Sequence, residues 1–129
     1  MGDYNFDFSF IKSGTPIVTL SAVGIAFNAG SRSLLGHPEQ IEIGFDEKAL
    51  AIAVRPHAED SSAPAYEFEK RVKDEWIRIS MRDFMRFLAQ RSGIDFLNRA
   101  VQFIPEYDAV NKMLVIVVDN EHVNAKNRS

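Results

Sequence analysis

The sequence predicts an α+β fold, mostly β, in one domain over residues 1–129. Three observations predict it. Short runs of β-branched and aromatic residues recur along the chain. Two short helical stretches each end at a glycine, Gly36 and Gly93. The order strand, helix, hairpin occurs twice. The expected architecture is two pseudo-symmetric strand–helix–hairpin repeats, packed as one sheet sandwich or barrel-like domain. Repeat one covers 17–55, a linker 56–75 and repeat two 76–119, with an N-terminal strand at 4–11 and a flexible tail at 120–129.

Taken in order, Tyr4-Asn5-Phe6-Asp7-Phe8-Ser9-Phe10 alternates aromatic with polar, so period two places Tyr4, Phe6, Phe8 and Phe10 on one strand face. That face packs on its own core or serves as an arm that adds to a neighbouring chain, which makes these four residues the candidate partner-binding set. After Gly14–Pro16 comes the β-branched strand Ile17–Ser21, and Gly24–Phe27 continues extended. Asn28 caps a short helix over Ala29–Leu35, ended by Gly36 and Pro38. Ile41–Phe45 and Ala49–Arg55 form a hairpin around Asp46-Glu47-Lys48. Pro56–Pro64 holds little that is apolar and reads as exposed; Tyr66–Asp74 is charged and reads as either extended or a frayed helix.

The plan then repeats. Trp76–Ser80 is a strand, and Ser80 with Asp83 has capping-box spacing at the start of a helix over Met81–Arg91. Phe84, Phe87, Leu88 and Arg91 share one helix face; Arg82, Arg86 and Gln90 share another. Gly93 ends the helix. Ala100–Ile104 is a strand, Pro105–Asn111 a turn longer than the first by about four residues, and Lys112–Asp119 the returning strand. Ile17–Ser21 answers Ile77–Ser80, Ile41–Ile43 answers Val101–Phe103, and Ala49–Val54 answers Met113–Val118. One unit alone leaves a sheet face exposed, whereas two units cover each other.

Composition narrows the function classes. The chain is 46% hydrophobic with ten Phe, enough for a core without staples. It has no cysteine, which removes disulfides and thiolate metal sites and fits a reducing, cytoplasmic setting. Residues 1–10 lack the basic start of a signal peptide, and Met113–Val118 is too short to span a bilayer, so no membrane partner is expected. The net charge is −3, yet Lys70–Arg99 holds 8 basic against 4 acidic side chains. An acidic whole disfavours a general nucleic-acid binder; the basic segment leaves room for a local patch.

The first repeat carries a resemblance. Gly24-Ile25-Ala26-Phe27-Asn28-Ala29-Gly30-Ser31-Arg32-Ser33-Leu34-Leu35-Gly36-His37, followed by a hairpin, resembles the AbrB-like swapped-hairpin domain. In that family a strand runs into a short helix ending in Leu-Gly before a hairpin, and two copies interleave. The resemblance implies such a fold, here duplicated within one chain, and a DNA-binding transcription regulator or antitoxin. It covers about forty residues. DNA-binding members carry basic residues before the helix; Ile17–Asn28 has none, and Arg32 is the basic residue that carries over.

Candidate nucleic-acid contacts are therefore Arg32, Arg78, Arg82 and Arg86, the last two one helical turn apart and able to grip phosphates. Their alternative is a solvated face with Asp83–Arg86 pairing. His37, His57 and His122 have no metal-ligand spacing, and no metal or cofactor is expected. Glu59-Asp60, Glu106/Asp108 and Asp119/Glu121 fall in a linker, a turn and the tail, which rarely shift a carboxyl pKa for catalysis. There is no G-x-S-x-G, P-loop or G-x-G-x-x-G. Trp76 belongs to the core, or, if exposed beside Arg78, to a binding surface. Three readings follow: a non-enzymatic binding or regulatory module acting through protein contacts, with a homo-oligomer or protein partner; an AbrB-like DNA-binding regulator; and a small enzyme with a site between the repeats.

Overall fold

A computed structural model describes residues 14–124. The aromatic strand expected over 4–11, with Tyr4, Phe6, Phe8 and Phe10, and tail residues 125–129 lie outside the described residues. Nine strands follow in chain order within them: β1 Val18–Leu20, β2 Gly24–Phe27, β3 Gln40–Asp46, β4 Ala51–Pro56, β5 Tyr66–Glu67, β6 Ile77–Ser80, β7 Val101–Phe103, β8 Glu106–Asp108 and β9 Met113–Val117. Helix α1 is Ala29–Leu35 and α2 is Arg82–Ser92; single 3-10 turns lie at Glu69–Arg71 and Asn120–His122. The fold is α+β, mostly strands, in two antiparallel sheets ordered β6-β2-β1-β7 and β5-β3-β4-β9-β8, not closed into a barrel.

The stretch from Ile17 to Phe27 folds back on itself rather than continuing extended. Val18 pairs with Phe27 and Leu20 with Ile25, and the Ser21 N–H donates to the Gly24 carbonyl at 3.1 Å. Gly24 also sets how closely β6 approaches: a Cβ there would lie 1.9 Å from the Ile79 carbonyl oxygen. Helix α1 forms as its sequence predicts. Asn28 Oδ1 accepts the Ser31 N–H at 2.9 Å, and Gly36 ends the helix at φ +80°. The same Asn28 oxygen accepts the Ile17 N–H at 2.9 Å, tying the helix start to the chain entering β1.

The capping box expected at Ser80 and Asp83 is not formed. Ser80 stays in β6 opposite Gly24, and the Met81 N–H donates to the Val23 carbonyl at 2.9 Å, so strand pairing holds the residues that would have capped the helix. Helix α2 begins one residue later, with Met81 at its cap and no side-chain cap bond, and Asp83 pairs instead with Arg86. Gly93 ends it at φ +76°, as the sequence implies. Met85 and Leu88 are buried, Phe84 packs edge-on against Phe45 at 5.0 Å, and Phe87 is left exposed under the Arg91 guanidinium.

The second hairpin differs from expectation in its partner strand. Val101–Phe103 joins the first sheet beside β1, and a separate strand, β8, pairs with β9. Both hairpin turns are then the same length. Asp46 and Asp108 each accept two backbone N–H groups of the turn, at 3.0–3.1 Å, and Leu50 and Lys112 each take a left-handed φ just before the returning strand.

The segment 56–75 is more than a linker. Its middle forms β5 and a 3-10 turn, and Phe68 is fully buried, edge-on to Phe27 at 5.2 Å. The start of the tail is also ordered: Val123 bridges Phe103, and the Ile104 N–H donates to the His122 carbonyl at 2.8 Å. One apolar cluster joins both sheets, the helices and these loops, through Val18, Leu20, Ile25, Phe27, Ile77, Ile79 and Phe103 on one sheet and Ile41, Ile52, Val54, Leu114 and Ile116 on the other. Among the described residues, no helix is long and apolar enough to cross a membrane.

Candidate functional site at the 73–76 turn

Trp76 enters β6 from a two-residue turn. Lys73 and Trp76 exchange both backbone bonds, at 2.8 and 3.0 Å, and the central residues Asp74 and Glu75 have φ +53° and +72°. Positive φ at both positions is the signature of a type I′ hairpin, which normally takes Asn-Gly or Asp-Gly. Beyond this one pair the hairpin splays. Arg71, which would next face Arg78, belongs instead to the 3-10 turn, its N–H donating to Phe68 carbonyl at 2.8 Å.

The splay opens a concavity of about 550 Å³ lined by Arg71, Lys73, Asp74, Trp76 and Arg78. Strand alternation decides what faces it. Ile77 and Ile79 point into the core, so Trp76, Arg78 and Ser80 share the opposite face. Trp76 is half-buried; Arg71, Lys73, Asp74 and Arg78 are exposed. Among the described residues, Arg71, Lys73 and Arg78 make no ion pair, whereas Arg32, Arg55, Arg86 and Arg91 each do. β6 is an edge strand, so its outer side beyond Trp76 carries no further strand of the described residues.

The other candidate arginines do not join this surface. Arg32 is a buried side chain whose Nη1 sits 3.3 Å from Glu69 Oε2, with its Nε enclosed and unpartnered. Its helix packs it inward against the 69–71 turn, so the basic residue carried over by the resemblance contacts protein rather than solvent. Arg86 pairs with Asp83 and borders a separate shallow depression with Gln90, Gly93 and Asp95. Arg78 alone of the four lines the basic concavity.

Each histidine is held by a carboxylate. His37 Nδ1 lies 3.1 Å from Glu69. His57 Nδ1 lies 2.9 Å from Glu42, whose other oxygen accepts Arg55 Nε at 2.6 Å. Glu42 is buried on β3, and hydrogen bonds from Ser61, Arg55 and His57 hold its carboxyl down at about 2. A carboxylate saturated in this way staples the 55–61 loop to the sheet and has no proton to give near neutrality. His122 bridges Asp119 at 2.7 Å and Glu106 at 2.8 Å, and those two carboxylates, Asp119 foremost, push its pKa up. No group of three or more metal-ligating side chains occurs among the described residues.

Sequence reasoning singled out Trp76 and Arg78 and counted Arg71, Lys73 and Asp74 in the charged Lys70–Arg99 segment, but named none of these three as a site residue and left them in the linker. The available signal was Trp76, Arg78 and Ser80 alternating with Ile77 and Ile79, preceded by a charged pair able to turn. Comparison with known proteins adds no relative: no family model, curated protein or solved structure matches this chain.

Proposed function

We propose that this chain is a non-enzymatic binding module that engages an anionic partner at the concavity around Trp76. The observation that carries the reading is the convergence on the chain's single tryptophan of three exposed cations that make no ion pair among the described residues. Unpaired guanidinium and ammonium groups beside an aromatic face attract anions and cation-binding rings alike. The histidines and the buried carboxylate are engaged with one another and with arginines, which supports binding over acid–base chemistry.

The reading includes the duplicated architecture. A shift of 53 residues carries β2 onto β6 and the start of α1 onto that of α2 (24 to 77, 27 to 80, 29 to 82). A shift of 62 carries the first hairpin turn onto the second (46 to 108, 51 to 113). Under these shifts β2 pairs with its own counterpart β6, and Ala53 of β4 lies opposite its counterpart Val115 of β9. This registers support two copies of a strand–helix–hairpin unit about a pseudo-two-fold, the arrangement the AbrB-like resemblance implies, with β2 rather than Ile17–Ser21 as the matching strand. They also give the concavity a structural origin. β1 covers the outer edge of β2, whereas the segment before β6 pairs with it only at Lys73 and Trp76, and no other strand of the described residues covers the equivalent edge.

The test uses Trp76 as its own reporter. Its emission is titrated with tripolyphosphate at low and high salt. The expected result is saturable binding that weakens with salt and is lost in an Arg71→Ala/Arg78→Ala double variant. Binding undiminished in that variant, or no binding at low ionic strength, overturns the reading.

A further inference from the structure

We infer that the ligand of the Trp76 concavity is a nucleotide unit, an unpaired base joined to a phosphate; this rests on the anion-binding reading above. The chemistry of the lining selects it. Trp76 and Arg78 lie two residues apart on one strand face, about 7 Å along the chain. That places an aromatic platform beside a phosphate-binding cation, with Arg71 and Lys73 on the facing arm of the splayed hairpin. Stacking on an aromatic ring combined with cations along the backbone is how proteins hold unpaired nucleotides.

Asp74 discriminates between anions. Asp74 lines the same concavity, and its negative charge opposes a ligand that is acidic throughout, such as a polyglutamate segment. A nucleotide offers hydroxyl and amino donors at one end and its charge at the other, so Asp74 accepts from the first while Arg71, Lys73 and Arg78 take the second. The volume, about 550 Å³, falls within the range of small-ligand sites. The charge count limits the reach: three cations against Asp74, on a chain of net charge −3, suit one or two phosphates rather than a long duplex track.

A duplex presents its bases stacked and paired, leaving no face for Trp76. The unit is thus supplied either as a free nucleotide or as a residue of a single strand.

The experiment compares four probes by calorimetry on the full chain: 5′-AMP, a single-stranded oligonucleotide of about ten residues, the matching duplex, and tripolyphosphate as an anion without a base. Either AMP or the single strand is expected to bind more tightly than tripolyphosphate and the duplex, and to quench Trp76 emission. Binding by AMP identifies a free nucleotide as sufficient; binding by the oligonucleotide alone identifies a strand. Trp76→Ala is expected to weaken the nucleotide probes by about tenfold or more while leaving tripolyphosphate unchanged, and Trp76→Phe to retain most of the affinity. Arg78→Ala weakens all probes and lowers the salt dependence. Circular dichroism and Trp76→Phe together separate lost stacking from lost folding. If tripolyphosphate binds and the nucleotide probes bind no better, or Trp76→Ala binds them equally, the nucleotide inference fails and the anion site stands. If no probe binds, both fail.

Discussion

Phe68 links the core to the binding surface, and replacing it with alanine measures that link. Its ring is fully buried, edge-on to Phe27 at 5.2 Å, and it lies three residues before Arg71, which bonds back to the Phe68 carbonyl. Removing a fully buried phenylalanine ring costs about 3–5 kcal/mol, of which about 1 kcal/mol is the aromatic pair. That is a large share of the roughly 5–15 kcal/mol that holds a domain together. With a urea slope of about 1.5 kcal/mol/M, a loss of about 4 kcal/mol lowers the midpoint by about 2.7 M. The assay is urea unfolding followed by far-UV circular dichroism and by Trp76 emission. Phe68→Leu, which fills most of the space, is expected to lose less than half as much. A loss under about 1 kcal/mol for Phe68→Ala, small against the usual cost of a buried ring, would refute the placement of Phe68 in the core. It would also remove the anchor that sets Arg71 against Trp76.

Two further predictions address the turn and the tail. Glu75 holds φ +72° in a type I′ turn, so Glu75→Gly is expected to stabilise the chain by about 0.5–1 kcal/mol in the same urea assay; destabilisation would show that the turn is not strained there. His122 has its pKa raised above 6.5 by Asp119 and Glu106, so its stabilising charge is fully present below 6.5 and is lost as pH rises through the folded value. Asp119 is shifted down, so its contribution holds above its ordinary 3.8 and fades as pH falls below it. Hydrogen exchange at the Ile104 and Asn124 amides, which bond to the His122 and Gln102 carbonyls, is therefore expected to quicken relative to intrinsic rates as pH rises past 6.5. His122→Gln should remove that change. Protection unchanged with pH in the unsubstituted chain would refute the clip.

Local signals carried much of the fold. Asn28 and Gly36 bracket α1 because capping and left-handed termination are decided by neighbouring residues. The alternation of Ile77 and Ile79 with Arg78 and Ser80 marked an amphipathic strand for the same reason. Strand partners were not legible in this way. Val101–Phe103 and β8 are both short strands near β9, and only the packing of the two sheets assigns one to each. Ser80 had the spacing of a cap, yet its pairing with Gly24 outweighed that local preference.

An α+β chain, two glycine-ended helices, a basic segment over Lys70–Arg99 and a lone tryptophan two residues from Arg78 were all legible from residue order. Packing separated the paired arginines from the exposed ones among the described residues. Arg32 turned inward to Glu69 and Arg86 paired with Asp83, while the splay of one hairpin brought Arg71 and Lys73 to Trp76. The reason is range. Caps and periodicity act over a few residues, but the ion pairs and the place of β6 at the edge of its sheet depend on segments that meet only once both sheets have packed.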